Sequence, residues 1–154
     1  MPSALLPPPS PLPRVPMALL PSPAPRVLVV DDDRDFTDAL ALLLLQWGHA
    51  VRVAHDGAEA LRVAVAWQPA IVLLDLAMPG MDGLRLAEFL RAAPATANAT
   101  LIAMTGCTSE AVRSRADELG VTYYLLKPAD PASLRQLLTG RPQSPGQLQK
   151  SESR

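Results

Sequence analysis

Between residues 26 and 140, short apolar runs alternate five times with longer stretches of helical periodicity, and this rhythm restricts the fold more than any other feature. Val27 to Val30 is an unbroken apolar run, as a strand covered on both faces requires. Phe36, Leu40, Leu43, Leu44 and Trp47 follow at helical spacing, and Gly48 ends that helix. Ala50 to Ala54 reads as a second strand, and Ala58 to Trp67 as a helix opened by the Asp56-Gly57 turn and closed by Pro69. Ile71 to Leu74, Leu101 to Met104 and Thr122 to Leu126 supply three more strands. Helices are predicted over Leu84 to Ala92, over Ser109 to Leu119 with Ser109 as cap and Gly120 as stop, and over Pro131 to Leu138 with Gly140 beyond its end. The class is therefore α/β, a doubly wound (βα)5 unit around a five-stranded parallel sheet. Its expected strand order, 2-1-3-4-5, is taken from the common behaviour of such sheets.

The flanks read differently. Ten of the 17 prolines lie within residues 1–25, where missing amide donors and fixed φ angles exclude helix and ladder alike. This arm is expected to be disordered or polyproline-like, a solvated extension rather than a ligand for a proline-binding module, and Met17 is an alternative start to Met1. Residues 141–154, polar and carrying Pro142, Pro145 and Gly146, are expected to form a disordered tail, leaving one domain over 26–140. A net charge of -1 and a pI near 6.1 provide no basic stripe, which disfavours direct nucleic-acid binding. Cys107 is the only cysteine, so neither an internal disulfide nor a Cys/His zinc cluster can form, and a reducing cytoplasm suits the chain. No apolar run approaches the roughly 20 residues of a membrane-spanning helix, and prolines interrupt any export signal in the arm.

Ligands of open α/β sheets bind beyond the carboxyl ends of the strands, where the strand order reverses. The first predicted strand runs into Asp31-Asp32-Asp33, the third into Asp75, the fourth into Thr105 and the fifth into Lys127-Pro128. With the first and third strands adjacent, Asp31, Asp32 and Asp75 converge and repel one another unless a cation neutralises them. Oxygen donors without imidazole or thiolate suit a hard ion, and Mg2+ favours few carboxylates together with waters and phosphate oxygens. An aspartate so placed can attack phosphorus, with Lys127 offering charge to one phosphoryl oxygen and Thr105 a hydroxyl to another.

The segments RVLVVDDD, IVLLDLAMPGMDG, LIAMTG and YYLLKP, in this order and spacing, resemble the signature blocks of the response-regulator receiver family, CheY-like and of the stand-alone, single-domain type. The resemblance spans about residues 26 to 140 and implies the flavodoxin-like fold. It implies that Asp75 is the phosphoacceptor, that Asp31 and Asp32 are the acidic pair at a Mg2+ site, and that Ala77 gives that ion a backbone carbonyl. Thr105 becomes the switch hydroxyl, Tyr124 the switch aromatic, and Lys127 the site lysine, its bond to Pro128 cis. Tyr123 is expected on the opposite face of the strand by alternation. A histidine kinase or phosphotransfer protein would donate the phosphoryl group, and a surface of the fourth helix, fifth strand and fifth helix would change its affinity for a separate effector protein. Beyond its own phosphorylation and dephosphorylation, such a chain is no enzyme. Ala77 offers no side chain to orient an attacking water, so a long phosphoryl lifetime is expected, with Gly106 and Cys107 tuning access.

Plainer readings apply nearby. Asp33 is expected at the solvated start of the first helix without a metal role, and Asp82, beside the turn formers Gly80 and Gly83, as a turn or cap residue. His49 and His55 are expected to be structural or exposed, away from the acidic edge. The rivals are a Mg2+-dependent phosphohydrolase with Asp75 as nucleophile, which lacks a neighbouring acid and a cap, and a pseudo-receiver that only binds, which the intact Asp75, Asp32 and Lys127 oppose. A nucleotide-binding domain is weaker still, since no glycine-rich phosphate loop follows the first strand.

Overall fold

The computed structural model describes residues 5, 7–14, 16, 24–78, 80–106, 109–127, 130–139 and 148–150, the last three as backbone. Along the chain run β1 (Arg26–Val30), α1 (Arg34–Gln46), β2 (Ala50–Ala54), α2 (Gly57–Trp67), β3 (Ile71–Asp75), α3 (Gly83–Ala92), β4 (Thr100–Thr105), α4 (Glu110–Glu118), β5 (Val121–Leu126), α5 (Pro131–Leu138) and β6 (Leu148–Lys150). The first five strands are parallel in the order β2-β1-β3-β4-β5.

Side-chain alternation divides the core into two layers, one on each face of the sheet. Leu28, Val30, Val72, Leu74, Leu101 and Ala103 face one way, packing with Ala60 and Ala64 of α2, Leu86 and Leu90 of α3 and Ala116 of α4. Val27, Val29, Ile71, Leu73, Ile102 and Met104 face the other, against Leu40 and Leu44 of α1 and Leu134, Leu137 and Leu138 of α5. Each buried valine, leucine, isoleucine or methionine here contributes about 1.5–3 kcal/mol, and strands covered on both faces show in sequence as unbroken apolar runs.

Every described helix begins on an oxygen acceptor. Asp33, Asp56, Asp82, Ser109 and Asp130 each accept a hydrogen bond from the backbone N–H three residues on. Such caps stabilise a helix by about 1 kcal/mol. Asp33 and Asp82 thus have the helix-start roles expected of them. The C-terminal end of α4 is held by Arg91, whose guanidinium donates to the carbonyls of Leu119, Ala97, Ala99 and Gly120 at 2.7–3.0 Å.

One feature departs from the sequence reading and a second lies beyond it. β6, in the segment expected to be an unstructured tail, pairs antiparallel with the outer edge of β5, with Tyr124 opposite Gln149. The edge of β5 presents unpaired backbone groups, and main-chain pairing needs no apolar pattern, so nothing in composition marks it. Second, the register between β4 and β5 shifts between Leu101 and Ile102, so that Leu101 faces Val121 and Ile102 faces Tyr123, leaving Thr122 without a register partner. After this bulge Tyr124 lies in the layer of α2, α3 and α4, while Tyr123 packs into the layer of α1 and α5. Residues 5, 7–14 and 16 of the arm carry neither helix nor strand and are exposed. Met17, Pro79, Cys107, Pro128, Gly140, 141–147 and 151–154 lie outside the described residues, and with them the expected cis bond and the expectation for Cys107. Among the described residues no helix is long and apolar enough to cross a membrane.

Candidate functional site

Register alone assembles the site. Val30 is paired with Leu74, so the next residues, Asp31 and Asp75, leave adjacent strands side by side. Asp75 faces Met104 and Thr105 faces Leu126, which brings Thr105 and then Lys127 to the same edge. The Lys127 N–H donates to the Thr105 carbonyl at 3.0 Å, fixing the loop from which the lysine reaches back.

One carboxylate oxygen from each of Asp31, Asp32 and Asp75 lies within 4.8 Å of the others. Asp31 is 1% and Asp75 6% exposed, whereas Asp32 faces solvent. The Lys127 ammonium donates to Oδ2 of Asp31 and, at 3.2 Å, to Oδ2 of Asp75, and it lies 4.7 Å from the centre of the Phe36 ring. Asp31 Oδ1 accepts from the Asp33 N–H and Asp75 Oδ1 from the Ala77 N–H, both at 3.0 Å. The Ala77 methyl is exposed, and the space beside Gly106 is open. Three carboxylates against one ammonium leave two negative charges uncompensated, which matches a divalent cation, and the all-oxygen donor set matches a hard one.

Several roles were not read from the sequence. His55 does not lie away from the acidic edge: its Nδ1 is 3.2 Å from the Asp31 carbonyl, since β2 is in register with β1 and Ala54 faces Val30. It buttresses the back of the acidic loop, while its N–H donates to Glu59 of α2. His49 is structural, with Nδ1 3.1 Å from the Pro25 carbonyl. Gly83 is the first residue of α3 rather than a turn former. Its value is space, because a Cβ there would stand 2.2 Å from the Asp75 carbonyl oxygen. Gly80, with φ +78°, does form the turn.

Tyr124 is buried, and its hydroxyl is 2.7 Å from Asp117 Oδ1 and 3.2 Å from the Arg113 carbonyl. Burial, then the hydrogen bond to Asp117 and that residue's charge, push the phenol pKa above its ordinary value, with Arg113 opposing. Burial works to lower the Lys127 pKa, but the hydrogen bonds and charges of Asp31 and Asp75 outweigh it and raise the net value. Both groups therefore hold a proton more tightly when folded, so their stabilisation is complete below the ordinary values near 10 and is lost as pH rises through the folded-state values. In alkaline titration followed at 295 nm, the native chain is expected to ionise less phenol than the unfolded chain between about pH 10 and 11. Tyr124→Phe should remove that difference and flatten the fall of stability with pH; an undiminished difference in the variant would exclude Tyr124 as its source.

Residues 27–139 match the response regulator receiver domain family. An uncharacterized 14.6 kDa protein of Leptolyngbya boryana is 38% identical over 112 residues, which is 73% of this chain and 86% of that protein. The DNA-binding response regulator MtrA of Mycolicibacterium paratuberculosis is 34% identical over 109 residues, 71% of this chain but only 47% of its own length, so the chain spans about half of that relative. The crystallized chemotaxis protein CheY4 of Vibrio cholerae superposes with a TM-score of 0.72 at 28% identity, covering 75% of this chain and 97% of that one.

Proposed function

This chain belongs to the response regulator receiver domain family of two-component signalling, and on that footing we propose that Asp75 is its phosphoacceptor, taking a phosphoryl group from a histidine kinase or phosphotransfer protein. The observation that carries this reading is the gathering of the Asp31, Asp32 and Asp75 carboxylates within 4.8 Å beneath an ammonium that bridges two of them.

A carboxylate oxygen of Asp75 attacks phosphorus as the phosphorus–nitrogen bond to the donor imidazole breaks, and the bonding pair leaves with that nitrogen. Lys127, already charged, moves its hydrogen bond from the carboxylates to a phosphoryl oxygen. Thr105 donates its hydroxyl to another, and the Ala77 N–H keeps the acceptor carboxylate oriented. Asp31, Asp32, Asp75 and the Ala77 carbonyl would hold Mg2+, which when bound supplies the charge neutralisation that phosphoryl transfer needs. The downstream partner is a protein that binds the face of α4, β5 and α5, where β6 already pairs with the β5 edge, and a kinase donor would act in the cytoplasm. A hydrolase would want an acid beside the nucleophile, where Leu76 is buried and Ala77 offers a methyl.

Acetyl phosphate with Mg2+ should add one phosphoryl group by intact mass, and none to Asp75→Asn. Equal gain by that variant would refute the assignment. In the same assay followed over time, Ala77→Asn should shorten the phosphoryl lifetime severalfold by giving the attacking water a partner; an unchanged lifetime would remove the role assigned to this position.

A further inference from the structure

Ala103 and Thr105 lie two residues apart on β4 and so share a face of the sheet, and Ala103 is opposite Tyr124 on β5. Thr105 and Tyr124 therefore work within one layer, beneath α4. Tyr124 is seated there, 6% exposed. Three contacts from α4 seat it: Asp117 Oδ1 at 2.7 Å and the Arg113 carbonyl at 3.2 Å from the hydroxyl, and the Arg113 guanidinium 4.8 Å from the ring centre.

Asp117 is the penultimate residue of α4, where a negative charge faces the negative end of the helix dipole, and aspartate is a weaker helix former than alanine. Helix stability alone thus disfavours it, and its bond to Tyr124 supplies the compensating contact. The turn that presents it is itself fixed by Arg91 on the Leu119 and Gly120 carbonyls.

We propose that Asp117 and Arg113 are positioning residues, a clasp that holds Tyr124 seated beneath α4 and so favours the binding of a phosphoryl group at Asp75. The inference rests on the phosphoacceptor reading above. A ring already seated spares the site a selection step, so a phosphoryl-like anion binds more tightly than it would to a chain whose ring swings freely.

Beryllofluoride, a tetrahedral phosphoryl mimic, titrated with Mg2+ by calorimetry into the full chain tests this, after a melting curve for each variant. Asp117→Ala should bind it roughly three- to tenfold more weakly, the worth of one hydrogen bond. Asp117→Asn, which keeps the acceptor oxygen, should retain most of the affinity. In a Tyr124→Phe background, Asp117→Ala should have no further effect. Unchanged affinity in Asp117→Ala, or a loss that persists in the Tyr124→Phe background, overturns the clasp. Failure of the unaltered chain to bind beryllofluoride or to gain a phosphoryl group sinks the phosphoacceptor reading, and the clasp's regulatory role with it. Normal binding by every variant sinks the clasp alone.

Discussion

Gly83→Ala is expected to destabilise the chain by about 2–4 kcal/mol and to depress phosphoryl uptake at Asp75, although the same change elsewhere in a helix would stabilise. Alanine is the better helix former by about 1 kcal/mol, and φ at this position is not left-handed, so neither propensity nor strain opposes it. Space does. The added Cβ would lie 2.2 Å from the Asp75 carbonyl oxygen, 2.7 Å from the Leu76 Cα and 2.9 Å from the Asp75 carbonyl carbon. All three are backbone atoms that no rotamer change can clear, so either α3 lifts or β3 gives way at the proposed phosphoacceptor. Gly106→Ala is the matched control, since a Cβ there would meet nothing within 4 Å and the change should be near neutral. Urea unfolding of both variants, with intact mass after acetyl phosphate, measures the two effects together. A Gly83→Ala protein as stable as the unaltered chain would show that α3 does not press on the site.

The same contact marks where sequence reasoning stopped. Strands buried on both faces leave unbroken apolar runs, so β1, β3 and β4 were legible, and the polar residues after them were legible as an edge once strand order was assumed. The caps at Ser109 and Asp82 were legible because an acceptor oxygen ahead of an apolar period has one economical use, whereas Asp56 read as a turn and Asp130 carried no reading. What could not be read were facts of pairing. The bulge that leaves Thr122 unmatched, the seat of His55 behind Asp31, and the closeness of α3 to Asp75 all depend on which residue lies opposite which. A glycine wanted for space looks the same in sequence as one wanted for a turn, and so Gly80 was assigned well and Gly83 was not. Arg113 and Asp117 carry no mark in the sequence, because only the packing of α4 on β5 brings them to Tyr124.

Lys127→Met should separate the two tasks of the acidic pocket. With the ammonium gone, Asp31 and Asp75, 1% and 6% exposed, face each other and Asp32 with no cation among them. Breaking a buried ion pair in this way costs about 3–5 kcal/mol, toward the low end here because Asp32 opens the pocket to solvent. Mg2+ binds the folded pocket in preference to the unfolded chain, so it should return most of the lost stability and make the melting temperature depend on its concentration. Phosphoryl uptake should stay depressed about a hundredfold even with the ion present, because an ion at the carboxylates does not replace an ammonium aimed at a phosphoryl oxygen. Asp75→Asn makes the opposite test, relieving the repulsion and so stabilising the Mg2+-free chain while ending uptake. If Lys127→Met melts where the unaltered chain does, with or without the ion, then the lysine does not balance the pocket, and its place beside Asp31 and Asp75 has no energetic consequence.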